Sequence, residues 1–224
     1  MIFKNISRMK KIFFTLLLLP LIGAAQSDPK ATAILDEMGI VNNAYSSITA
    51  GFEYTLDNKA AGVKDTRSGS VLLSKGNFAL DLGDYKVNAD GKIVWVTMTD
   101  LEEVQIYDYK EFKEDNDFDP SEIFSGYSTG FKTQYHESSN MENIKVDVVD
   151  LFPEDPSKRN FSRIRLFIEQ SSKHLKQAKV FGKDGNLYTY KVTSFESNAD
   201  VSSILKPFNQ KALEAAGFSV EDLR

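Results

Sequence analysis

Residues 85–107, YKVNADGKIVWVTMTDLEEVQIY, decide the fold class of this chain. They divide into three short runs rich in β-branched and aromatic residues. Two turn-forming stretches separate them, Asn88-Ala89-Asp90-Gly91 and Thr99-Asp100-Leu101-Glu102. The middle run, 93–98, is apolar without alternation and contains Trp95, the only tryptophan. An unbroken apolar strand is covered on both faces, so something packs on this sheet or is held against it.

The same pattern extends in both directions. Upstream, Phe52, Tyr54 and Leu56 alternate with polar residues, 69–74 reads as a strand, and Phe78, Leu80 and Leu82 alternate again. Downstream, strands are expected at 131–137, 145–152, 161–170, 175–182 and 187–195, with Asp184-Gly185 at the centre of a hairpin turn. Strands that follow one another through short turns predict an antiparallel meander. Ahead of them, Ile34, Leu35, Met38, Val41 and Tyr45 recur at helical spacing and predict a helix over 30–44. Asp119-Pro120-Ser121-Glu122 starts a second, short helix, with Ile123, Phe124 and Tyr127 on its apolar side. The stretch between, 108–119, is polar and acidic. The tail from 199 is mixed, with a helical turn at 211–216. The expectation is a mainly β chain: about ten or eleven antiparallel strands in a curled sheet, with helices on its concave side.

The first 25 residues stand apart. Lys4, Arg8, Lys10 and Lys11 precede an apolar run, 12–22, and the small residues Gly23-Ala24-Ala25. This predicts a secretory signal peptide cleaved near Ala25-Gln26; the run is too short to span a bilayer. Residues 26–224 then form a single domain. Removing the four basic residues moves the net charge from −5 to −9. Such an acidic chain argues against nucleic-acid binding. It has no cysteine, so an exported product depends on its apolar core alone and carries no cysteine for a lipid anchor at the cleavage site.

Motifs for chemistry are weak. Gly126-Tyr127-Ser128-Thr129-Gly130 matches G-x-S-x-G, and Asp150 and His174 complete a triad on paper. That motif needs a strand before it and a helix after it; here the order is reversed, which favours a glycine-bounded loop. Asp115, Asp117 and Asp119 resemble the start of a calcium loop, but Pro120 and Gly126 occupy the positions of its glycine and bidentate glutamate. His136 and His174 lie on different strands, with no cysteine to join them in a metal site. No enzyme, cofactor or metal is expected.

The ordered set of features resembles the periplasmic lipoprotein carriers of the LolA type, in the form found in Bacteroidetes. The resemblance runs through Tyr45-Ser46-Ser47-Ile48-Thr49-Ala50-Gly51-Phe52, Gly69-Ser70-Val71-Leu72-Leu73, Asp90-Gly91-Lys92-Ile93-Val94-Trp95 and Gly185-Asn186-Leu187-Tyr188-Thr189-Tyr190. It implies an open, incomplete β-barrel with a helical lid over an apolar cavity. It also implies a monomeric periplasmic chaperone. Such a carrier takes acylated lipoproteins from an inner-membrane ABC transporter and passes them to an outer-membrane acceptor. A lipid- or lipoprotein-sensing module on the same fold is the alternative. By the resemblance, Phe52, Tyr54, Leu72, Phe78 and Leu80 line the cavity. So do Trp95, Ile106, Leu166 and Ile168, together with Tyr188 and Tyr190. Ile123, Phe124 and Tyr127 belong to the lid. Lys75 stands where the family often has an arginine that bonds to the lid, and lysine cannot repeat its forked contacts.

Overall fold

The computed structural model describes residues 27–115, 130–202 and 205–224. The expected signal peptide, the helix after Asp119, the lid residues Ile123, Phe124 and Tyr127, and Ser128 lie outside them.

Helix α1 (Pro29–Asn43) starts where Asp28 caps it, accepting from Lys30 N at 2.8 Å, with Pro29 at the first position. The second Asp28 oxygen accepts from Tyr135 N at 3.0 Å, so one carboxylate fixes a helix start and a strand together. Its pKa is lowered, first by the Tyr135 bond. Ala31, Ile34, Leu35 and Met38 form the buried stripe of the helix.

Among the described residues, twelve strands make one open sheet. The first six are β1 (Ile48–Asn58), β2 (Val63–Ser74), β3 (Asn77–Asp81), β4 (Tyr85–Ala89), β5 (Ile93–Met98) and β6 (Glu103–Asp108). The next five are β7 (Phe131–Met141), β8 (Ile144–Pro153), β9 (Phe161–Glu169), β10 (Leu175–Gly182) and β11 (Leu187–Ser197). Between the two sets lies α2 (Tyr109–Asp115); α3 (Gln210–Ala215) and β12 (Ser219–Asp222) follow. The decisive stretch, 85–107, forms β4, β5 and β6 as its turns predict.

The order β12-β6-β5-β4-β3-β2-β1-β11-β10-β9-β8-β7 differs from one continuous meander. It is two meanders, β1 to β6 and β7 to β11, joined where β1 pairs with β11. Two elements are new. The polar stretch after Asp108 includes α2, whose Tyr109 and Phe112 pack on the sheet. The tail adds β12, parallel to β6. β2 is also longer than expected, because its polar residues 63–68 pair with β1 out to Asn58↔Val63 in a half-exposed hairpin that has no apolar alternation to read.

α1 lies on the concave face. Its Leu35 and Met38 share a buried cluster with Ala50, Phe52 and Val71 and with the inward residues of β8 to β10, among them Val149, Ile164 and Ala178. A second cluster, Phe78, Val87, Ala89, Val94 and Val96, is covered by Tyr109 and Phe112 of α2.

Candidate functional site: an apolar chamber on the concave face

Strand pairing aligns the chamber's walls. Ala50 pairs with Val71 and Val71 with Leu80, so β1, β2 and β3 point these side chains the same way. Across the join, Phe52 pairs with Val192 and Tyr54 with Tyr190. Together with Leu56 and Leu82 they line a cavity of about 420 Å³, to whose lining Leu175 and Ala178 of β10 also contribute. This is within the size range of small-ligand pockets, roughly 300–1,000 Å³. Taking a methylene at about a water molecule's share of liquid volume, roughly 30 Å³, it has room for about 14 methylenes.

One wall is aromatic. The rings of Tyr54 and Tyr190 lie 5.2 Å apart, Tyr54 stacks on Tyr188 at 6.2 Å, and Phe52 meets Tyr190 at 6.1 Å. Burial raises the pKa of Tyr54 and Tyr190, so both hydroxyls stay neutral. Gly69 gives the Phe52 ring its place: a Cβ there would stand 2.7 Å from Phe52 Cζ and 2.8 Å from Leu82 Cδ2. The mouth is polar. Arg67 donates to Asp65 at 2.8 Å and lies 3.9 Å from Asp84, and all three line the chamber.

The expected cavity residues separate into three groups. Phe52, Tyr54, Leu80 and Tyr190 line the chamber, and Tyr188 backs its aromatic wall. Leu166 and Ile168 lie on the same face, but they are sealed in the cluster that α1 covers. Phe78 faces inward too, in the cluster under α2. Leu72, Trp95 and Ile106 are corrections, because they point to the opposite, outer face. Val94 and Val96 take the concave side of β5, and the pleat sends Trp95 the other way, opposite Ile106. Trp95 meets Phe208 there, with ring centroids 5.4 Å apart. Leu72 pairs with Ala79 in the outward row. The chamber residues not singled out, Ala50, Leu56, Val71, Leu82 and Val192, could be found by extending the pleat from Phe52 and Leu80.

The described members of the paper triad have other partners. Asp150, almost fully buried on the outer side of β8, accepts from Arg165 Nε at 2.7 Å and Nη2 at 2.8 Å, with Arg163 at 3.5 Å. His174 shares a hydrogen bond with the Tyr45 hydroxyl at 3.0 Å and stacks on Phe195 at 4.0 Å.

Lys75 forms the β2–β3 turn with Gly76, at φ 27° and 88°. It lines a second cleft of about 290 Å³ beside the end of α1, with Tyr109 and Lys113 of α2.

A model of the family "Outer membrane lipoprotein carrier protein LolA" matches residues 43–208. The chain belongs to the LolA family. Its match covers the sheet from β1 to β11 and stops before α3 and β12. Solved structures resemble it at low identity. An uncharacterized conserved protein from Thermus thermophilus has a TM-score of 0.55 at 13% identity, over 86% of this chain and 99% of that one. A putative outer membrane lipoprotein-sorting protein domain from Vibrio parahaemolyticus has 0.46 at 12%, over 83% and 98%. A LolA superfamily protein from Nitrosomonas europaea has 0.40 at 11%, over 82% and 96%. A comparison with curated proteins finds no match. Among the described residues, no helix is long and apolar enough to cross a membrane.

Proposed function

We propose that this LolA-family protein is a periplasmic carrier. It holds an acyl chain of a lipoprotein released at the inner membrane and delivers it to the outer membrane. The observation that carries the reading is the apolar chamber with an aromatic wall, open to solvent at a polar mouth. The basic, apolar and small-residue pattern of residues 1–25 supports export. An ABC transporter as donor and an outer-membrane acceptor complete the proposal, with no chemical step performed by the protein.

The energetics suit a carrier. Burying a methylene is worth about 0.8 kcal/mol, so filling the chamber gains about 11 kcal/mol gross relative to water. That is below the practical ceiling of about 20 kcal/mol. The relevant competitor is the bilayer, which offers a chain the same gain. Holding about one chain, rather than every chain of a lipoprotein, leaves the cargo easy to surrender. The test is a transfer assay. Purified protein is added to inner-membrane vesicles containing the transporter and a radiolabelled lipoprotein, and then to outer-membrane vesicles. Labelled lipoprotein in the soluble complex, and then in the acceptor fraction, is the expected result. A protein that never takes up acylated cargo, while a known carrier does so in parallel, overturns the proposal.

A further inference from the structure

Among the described residues, the charged side chains lining the chamber are Asp65, Arg67 and Asp84, and all three stand at its mouth, about half exposed. β1 and β2 pair Ala50 with Val71, Phe52 with Gly69, Tyr54 with Arg67 and Leu56 with Asp65. Arg67 and Asp65 therefore continue the inward-pointing row that begins at Val71. At about 3.4 Å per residue, Arg67 lies roughly 14 Å along the strand from Val71. A chain with its tail among Ala50, Val71 and Leu80 has its polar end at Arg67.

Arg67 is held in place with donors to spare. Its Nε donates to Asp65 at 2.8 Å, while Nη1 lies 3.9 Å from Asp84, beyond hydrogen-bond reach. A guanidinium has five N–H donors, and the bond to Asp65 uses one. Tyr54, its cross-strand partner, brings a hydroxyl close enough for both Asp65 and Arg67 to act on it. That hydroxyl is a second, uncharged donor on the same face.

One arginine and two aspartates give the mouth a net charge of −1. A carboxylate or phosphate arriving at Arg67 meets two carboxylates already beside it and is repelled. An uncharged carbonyl oxygen meets no such repulsion and can accept from the guanidinium or from the Tyr54 hydroxyl.

We infer that the mouth selects an uncharged acyl ester and rejects an ionised fatty acid: Arg67 donates to the ester carbonyl, and Asp65 and Asp84 turn away a carboxylate. The inference rests on the chamber being an acyl-chain site. It deepens that reading by naming the form in which the chain is accepted, ester-linked to a lipoprotein or to a neutral glyceride, and the residues that recognise it.

The experiment uses the delipidated full-length mature protein at pH 8, with methyl decanoate and decanoate displacing a fluorescent fatty alcohol. It compares the wild type with Arg67→Gln and with the double variant Asp65→Asn, Asp84→Asn. The double variant takes the mouth from −1 to +1 and is expected to raise decanoate affinity about tenfold while leaving methyl decanoate within about twofold. Arg67→Gln is expected to weaken methyl decanoate several-fold. The discrimination against decanoate should shrink in 1 M salt, because the mouth is exposed to screening. An unchanged ratio of the two affinities in the double variant overturns the inference, and so does a wild type that prefers decanoate. Melting curves identify a structural role, in which a variant loses stability but keeps the wild-type ratio; that result overturns it too. Two further probes separate the sources of the ester. Displacement by a diacylglyceryl-cysteine peptide supports lipoprotein cargo. Displacement by didecanoylglycerol alone keeps the ester selection and gives the chamber to glycerides. If no chain displaces the alcohol, the lipid reading of the chamber fails, which is a different outcome from loss of ester selectivity alone.

Discussion

A chamber that holds one acyl chain should measure its length, and one substitution should shorten the scale. Val192 lies on the inward side of β11, opposite Phe52, and its side chain lines the cavity. Val192→Phe adds four carbon atoms to a wall that faces open space, so the sheet needs no repacking. With room for about 14 methylenes in the wild type, the affinity of straight-chain alcohols should rise about fourfold per added carbon, at about 0.8 kcal/mol each. The rise should level off near 14 carbons. In Val192→Phe the plateau moves to about 10. Chains of 14 carbons or more then lose about 3 kcal/mol, on the order of 200-fold. Chains of eight carbons lose little. Displacement of a fluorescent fatty alcohol by a series from 6 to 18 carbons, in water below each critical micelle concentration, reads both plateaus. A wild-type series that rises without levelling, or a variant with the same plateau, refutes the idea that this cavity contains the chain.

Other predictions concern the frame around the chamber. Asp150→Asn leaves Arg165, only 19% exposed, without its buried anion, and should cost about 3–5 kcal/mol in urea unfolding; pairing it with Arg165→Met should recover much of the loss. Gly69→Ala presses on Phe52, Leu82 and the Asp81 carbonyl and should cost about 1–3 kcal/mol by the same method. Because Trp95 is packed on Phe208 across the sheet from the chamber, filling the chamber should leave its emission maximum unchanged, whereas Phe208→Ala should red-shift it. Burial lowers the pKa of His174 from its ordinary value of 6.5, with Glu169 opposing in part. The unfolded chain therefore binds the proton first as pH falls, so stability should drop as pH goes below about 6.5 towards the lower folded value, with no contribution above it. Thermal melts from pH 7.5 to 5 should show this slope, and His174→Gln should flatten it.

Much of the sheet was legible because its strands alternate and its turns carry Gly, Asn and Asp. Strands β3 to β6 and β8 to β11 fall where these signals put them. What failed was information that no local pattern carries. Trp95 sits in a run apolar on both sides, so periodicity could not choose its face; Phe208, more than a hundred residues later, makes that choice. β12 is four residues long, mostly exposed, and forms only because the edge of β6 is there to receive it. α2 has a charged sequence with just Tyr109 and Phe112 to anchor it. Within the site, four of the expected residues line the chamber, while Leu166 and Ile168 share its face but are covered by α1, a distinction that depends on where a helix lands.

The seam between β1 and β11 has a consequence for how the molecule is made. Ile48 pairs with Ser197, and Asp57 with Leu187, so the chamber wall joins the first strand to emerge with one of the last. Each meander can form from nearest neighbours, but loop closure across more than a hundred residues must be achieved before Tyr54 meets Tyr190. Contacts of such high sequence separation make folding slow. Until they form, β1 presents an unpaired edge of eleven residues with Phe52 and Tyr54 exposed on it. The chamber wall is thus completed by contacts of the highest sequence separation in the sheet.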